Sequence, residues 1–215
     1  MKVALIGATG FVGSKLLAEL LNRGHEVTAI ARDTTKLEAK PGLTISKGDV
    51  FNVDATAATL SGHDAVLSAY NPGWTNPNIE ADFIKGAEAI QEAVKKSGVK
   101  RLITIGGAGS LYIGDQQLID TPSFPKEYYN GANGARKYLD TLRKETELDW
   151  TFFSPAIEMH QGITTGRTGQ YRTQTENPVF DENGRSILSA EDLSVALVDE
   201  LENPKFIKAR FTAAY

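Results

Sequence analysis

The fold is decided by Lys2-Val3-Ala4-Leu5-Ile6-Gly7-Ala8-Thr9-Gly10-Phe11-Val12-Gly13. Its first five residues form a short apolar run that stops at a glycine, the signature of a buried strand. Val12, Leu16, Leu17, Leu20 and Leu21 then recur at helical spacing, and Gly24 stands where a helix would be capped. Glu26 to Ala31 is a second strand. Strand, glycine turn, helix and strand make one βαβ unit within 31 residues.

The pattern continues along the chain. Strands are predicted at Leu43–Lys47, Ala65–Ser68, Arg101–Ile105 and Trp150–Ser154, with helices at Asp54–Leu60, Ile79–Lys96 and around Ala135–Leu142. This alternation predicts an α/β doubly wound Rossmann fold with a mainly parallel sheet. Residues 1–155 form the core of a single domain. Residues 156–215 form a small C-terminal part on the substrate side, with β-like pieces around Tyr171 and Val179. A helix follows over Ala190–Leu201, with Ser189 as cap and Asp192 as capping-box partner, and then a last strand over Arg210–Ala213. The long polar stretch from Ser110 to Asn133 reads as a lid.

Each glycine of the turn has a physical reason. The first permits the sharp turn, the second lets a pyrophosphate approach the main chain, and the third lets helix and strand pack closely. The helix start then offers unpaired amides and a positive dipole end. Gly7, Thr9, Gly10, Phe11, Val12 and Gly13 are therefore assigned to a dinucleotide. Ligands of such sheets lie at the carboxyl ends of the strands. That rule adds Ser68, Ala69 and Tyr70 after the fourth strand, Gly106 and Gly107 after the fifth, and Pro155 after the sixth.

The G-x-x-G-x-x-G spacing resembles the extended and atypical short-chain dehydrogenase/reductases. Ala31-Arg32, Gly48-Asp49-Val50 and Ser154-Pro155-Ala156 bring the resemblance closest to the NmrA-like, NAD(P)H-binding branch with its small flavin and biliverdin reductases. The resemblance implies that Asp49 and Val50 border the adenine. An NAD-preferring protein usually has an acid at the end of its second strand. Here Arg32 stands there, and a guanidinium pairs with a 2′-phosphate. NADP(H) is therefore expected over NAD(H), although Asp33 is close enough in sequence to reach a ribose hydroxyl and keeps NAD(H) open.

The catalytic Tyr-x-x-x-Lys of related epimerases and reductases is missing. Tyr128 leads to Ala132, Tyr129 to Asn133 and Tyr138 to Leu142. This argues against a nucleotide-sugar epimerase or dehydratase. It leaves two readings: a reductase of a flat acceptor such as a flavin or quinone, or a redox sensor that binds a partner protein. Ser110, Tyr129 and His160 are the candidate proton donors, and Trp74, Phe124, Tyr128 and Phe153 the aromatic supply for a flat substrate. No metal site is predicted.

The chain has 215 residues, a net charge of -4 and no cysteine. That balance argues against a nucleic-acid binder and excludes thiol chemistry. No apolar run approaches the ~18 residues of a membrane span, and the run before Gly7 is too short for a signal peptide, so a cytoplasmic protein is expected.

Overall fold

The computed structural model describes all residues, Met1–Tyr215. The elements are β1 (Lys2–Ile6), α1 (Phe11–Asn22), β2 (Glu26–Ala31), β3 (Leu43–Lys47), α2 (Val53–Leu60), β4 (Ala65–Ser68), α3 (Ile79–Ser97) and β5 (Arg101–Ile105). A two-residue hairpin, β6 (Tyr112–Ile113) and β7 (Gln116–Gln117), precedes α4 (Tyr129–Leu142) and β8 (Asp149–Ser154). The chain ends with β9 (Arg172–Gln174), α5 (Ala190–Glu202) and β10 (Ala209–Ala214).

Eight strands form one sheet in the order β3-β2-β1-β4-β5-β8-β10-β9. All neighbours are parallel except β9, which runs antiparallel to β10. The chain reverses direction across the sheet between β1 and β4, so this is the doubly wound arrangement. Alternation sorts the strand residues to two faces. Val3, Leu5, Phe153 and Phe211 face α1 and α5, whereas Ala4, Ile6, Trp150 and Phe152 face α2, α3 and α4. No helix is long and apolar enough to cross a membrane.

The part after Pro155 is tied into these layers. β10 extends the sheet beside β8, and α5 packs on α1. A charge network fastens the intervening loop: Arg167 donates to Glu19 at 2.8 and 2.9 Å, Arg23 bridges Glu19, Asp199 and Glu202, and Tyr171 donates to Asp199.

Three sequence expectations need correction. Ser189 does cap α5, its hydroxyl accepting from the Asp192 amide at 3.0 Å. The Asp192 carboxylate does not reach back to complete a capping box. It is fully buried and accepts from the amides of Thr168 and Gly169 and the hydroxyls of Thr168 and Tyr215, because the returning loop brings it more donors than its own helix start. Val179 is buried but lies in no strand; Pro178 before it cannot donate to a ladder. The Ser110–Asn133 stretch carries two 3-10 turns, Leu118–Asp120 and Lys126–Tyr128, the β6–β7 hairpin and the first turn of α4, so it is a folded segment rather than a bare loop.

Candidate functional site

The registers align the strand ends into one rim. Ile6 pairs with Ile30 and with Ser68, Ser68 with Thr104, and Ile105 with Phe153. One residue further on, Gly7 and Ala69 stand level with Ile105 and Phe153, and Gly106 and Ser154 follow one step beyond, with Arg32 and Asp49 further out after β2 and β3.

At the turn the three glycines do different work. Gly7 has φ 82°, and a Cβ there would lie 2.5 Å from the Ala69 carbonyl oxygen. A Cβ on Gly13 would lie 2.0 Å from the Gly7 oxygen, so the helix sits directly on the turn. Gly10 differs: its backbone is extended, and a Cβ would meet only the Gly7 oxygen, at 3.4 Å. Internal packing demands glycine at 7 and 13 but leaves space at 10. Gly10 is the N-cap of α1, no side chain caps the first amides, and no acid stands in the first turn. An open cradle of unpaired amides at a positive helix end fits a pyrophosphate.

At the far end of the rim, Arg32 is exposed and makes no hydrogen bond or ion pair. Asp33 is folded onto its own loop, accepting from the Thr35 hydroxyl at 2.6 Å and the Thr35 amide at 3.0 Å, and these bonds hold its carboxyl below the usual range. The exposed Asp49 accepts from the Phe51 amide at 3.1 Å, while Val50 is buried in the core.

Tyr70 follows β4, half-buried. Its ring packs on Gly86 of α3 and lies 6.2 Å from Phe83, and its hydroxyl donates to the Asp82 carbonyl at 3.0 Å. Burial, with Asp82 adding, raises its phenol above the ordinary range. Ser68 is buried beneath the rim. Gly106 has an internal reason to be glycine, since a Cβ would fall 1.8 Å from the Phe152 ring. Gly107 is freer, with only Ala135 and Ala132 of α4 within 4 Å. Pro155 is buried at the end of β8.

The three candidate proton donors are not joined by any hydrogen bond. Ser110 is 2% exposed and turns inward, where its hydroxyl and carbonyl accept from buried Arg210 at 3.0 and 2.7 Å. That placement counts against a role in proton transfer at the rim. His160 is exposed and accepts through Nδ1 from the Gly162 amide. Tyr129 is exposed at the start of α4. Of the aromatic residues, Phe153 is fully buried against Phe211 and is core. Trp74 and Tyr128 do come together, ring centroids 5.4 Å apart and nearly perpendicular. Sequence reasoning missed Gly86 and Gly131, each of which seats an aromatic ring. The available signal was an isolated glycine inside a helical pattern.

The comparisons agree with this geometry. The family model described as NAD(P)H-binding matches residues 7–204. The uncharacterised protein YwnB of Bacillus subtilis is 36% identical over 99% of this chain and 97% of its own. A solved structure from Bacteroides thetaiotaomicron, described as a candidate epimerase, is 43% identical with a TM-score of 0.91, covering 100% of this chain and 96% of that one. One from Streptococcus pneumoniae, described as a candidate NADH-flavin reductase, is 37% identical with a TM-score of 0.87, covering 100% and 99%. The longer dehydrogenases and reductases among its curated relatives are spanned over about two fifths of their length. The resemblance to short-chain dehydrogenase/reductases holds, and the chain belongs to the NAD(P)H-binding family.

Proposed function

We propose that this protein is an NADPH-dependent reductase of a flat acceptor, a flavin or a quinone, working in the cytoplasm. The observation that carries the choice of cofactor is the pair Arg32 and Asp33. The guanidinium is exposed and unpaired, and the neighbouring carboxylate, which would repel a phosphate, is bound to Thr35. Such a guanidinium is placed to take a 2′-phosphate in fork geometry.

The nicotinamide supplies the hydride when bound. The chain's own groups hold and orient. The amides of Phe11, Val12 and Gly13 would receive the pyrophosphate, Asp49 would offer its carboxylate to the adenine amino group, and the strand ends at Gly107 and Pro155 form a wall without bulky side chains. Tyr129-x-x-x-Asn133 lacks the lysine that would lower a phenol's pKa, so proton transfer falls to solvent, which suffices for a flavin or quinone. The same lack disfavours epimerase chemistry. The test is NADPH oxidation followed by nicotinamide absorbance with FMN, riboflavin and several quinones. Turnover with at least one acceptor is expected; none above background with any of them overturns the reading.

A further inference from the structure

Trp74 is the most exposed large apolar side chain of the molecule, 59% accessible, yet it is held in place. Its ring lies over Gly131, where a Cβ would come within 2.7 Å of the indole, and Tyr128 meets it edge-on at 5.4 Å. Its loop is braced as well: Asn71 accepts from the Gly73 amide at 2.7 Å, and Asn76 accepts from the Asn78 amide and donates to Asp82. An indole left in water would ordinarily be buried or mobile. Here the protein orients it and leaves it open.

Its position follows from α4. Trp74 packs on Gly131, while the neighbouring Ala132 touches Gly107 at the end of β5. The indole therefore sits on the loop leaving β4, a carboxyl strand end, and packs on the same helix, α4, that borders Gly107 after β5. The exposed aromatic surface here comes from few residues: Trp74 with its partner Tyr128, and Tyr129 next in sequence, flanked along the chain by the polar Lys126, Glu127 and Asn130. A stable protein interface takes roughly 20–30 residues from each partner, whereas one planar ring system needs only such a few.

The geometry points to Trp74, backed by Tyr128, as the stacking platform for the planar ring of the acceptor. This rests on the reductase reading and adds the residue that selects flat substrates.

The chain has two tryptophans, and the other, Trp150, is buried and emits to the blue of an exposed indole, so the difference between wild type and Trp74→Leu spectra isolates the emission of Trp74. Riboflavin and menadione are titrated into the protein saturated with NADP⁺, which prevents turnover, and acceptor kinetics are then measured with NADPH. We expect quenching of the exposed emission in the wild type and its loss in Trp74→Leu. The acceptor KM should rise about tenfold, the scale of one ring stack, with kcat, NADPH affinity and melting temperature unchanged. Trp74→Phe should recover most of the KM. Wild-type turnover with an unaltered KM in Trp74→Leu overturns the platform and leaves the reductase intact. Quenching without turnover by any acceptor overturns the reductase and keeps the platform. Trp74 emission that shifts with protein concentration, together with a dimer in sedimentation, overturns the platform in favour of a second copy of the chain.

Discussion

The Tyr70 ring occupies the space that a side chain at Gly86 would need. A Cβ built on Gly86 lies 2.3 Å from the ring, and the Tyr70 hydroxyl is fixed one turn earlier on the Asp82 carbonyl. The loop leaving β4 is thereby locked to α3 beside Arg32 and Asp49, both of which lie close enough to act on the phenol's charge. Gly86→Ala should gain helix propensity of about 1 kcal/mol yet destabilise the protein by about 1–2 kcal/mol through the clash. In a Tyr70→Ala background the same substitution should turn stabilising. Melting temperatures of the four proteins check this; the same sign in both backgrounds would show that the ring is not seated on Gly86.

Arg32→Ala should weaken NADPH binding about tenfold or more and leave NADH nearly unchanged, because only the 2′-phosphate is lost as a partner. Raising the salt should weaken NADPH in the wild type more than in the variant. Dissociation constants for both nucleotides in both proteins measure it, and equal affinities throughout would remove the proposed preference.

The sheet was legible because central strands such as β1, β4 and β5 are short, mostly buried runs that end at Gly7, Ser68 and Gly106, and α1 and α3 carry an amphipathic period between them. β2, β3, β4 and β5 match the predicted bounds. β9 was legible only as a β-like piece around Tyr171; its bounds, Arg172–Gln174, and its antiparallel edge position were not, because it is exposed and three residues long, so burial imposes no pattern on it. The same division runs through the site. The glycine turn reads locally, through the positive φ of Gly7 and the seat of Gly13 on Gly7, although the Ala69 carbonyl that also crowds Gly7 comes from β4's end. Tyr70 on Gly86, Trp74 on Gly131 and Arg210 on Ser110 are contacts between distant segments, and only the fold makes them visible. Ser110 shows the cost most plainly. A serine after a glycine-rich strand end reads as a proton donor, while the buried guanidinium that claims it lies 100 residues away.

Arg210 on β10 is the anchor of that segment. It donates to the Ser110 carbonyl and hydroxyl, to the Thr175 carbonyl at 3.1 Å and to the Glu176 carboxylate. Arg210→Met leaves these acceptors without their donor and should cost about 3 kcal/mol. Ser110→Ala keeps the carbonyl bond, so it should cost about 1 kcal/mol or less and leave reductase turnover within about twofold. Denaturant melts and acceptor kinetics separate the two. Loss of turnover in a well-folded Ser110→Ala protein would restore the serine to catalysis.

Acid stability should depend on Glu145, whose side chain is 5% exposed. Burial opposes its ionisation, but the Glu147 amide, Gln91 and Lys95 outweigh burial and hold the carboxyl at about 2, against 4.5 for a free group. A lowered folded value means that the stabilisation is complete above pH 4.5 and is lost as pH falls toward 2. Allowing for solvent screening at its rim, it is worth about 1–2 kcal/mol. The stability gap between wild type and Glu145→Gln should therefore be largest near neutral pH and shrink below pH 4.5. A gap that is flat across that range would mean that Glu145 is not ionised in the way its partners require.

Gly10 and Gly13 offer the sharpest separation of folding from binding. Gly13→Ala forces a Cβ to within 2.0 Å of the Gly7 oxygen, a backbone atom that cannot move without unseating the turn, so it should cost about 2–3 kcal/mol. Gly10→Ala meets only the same oxygen at 3.4 Å and needs no positive φ, so the melting temperature of the free protein should stay close to wild type. If the cradle receives a pyrophosphate, the new methyl stands where the phosphate must approach, and NADPH affinity should fall about tenfold or more. The melting-temperature rise on adding NADPH should shrink with it. A Gly10→Ala protein that binds NADPH as tightly as wild type would mean that the nucleotide does not lie against this turn.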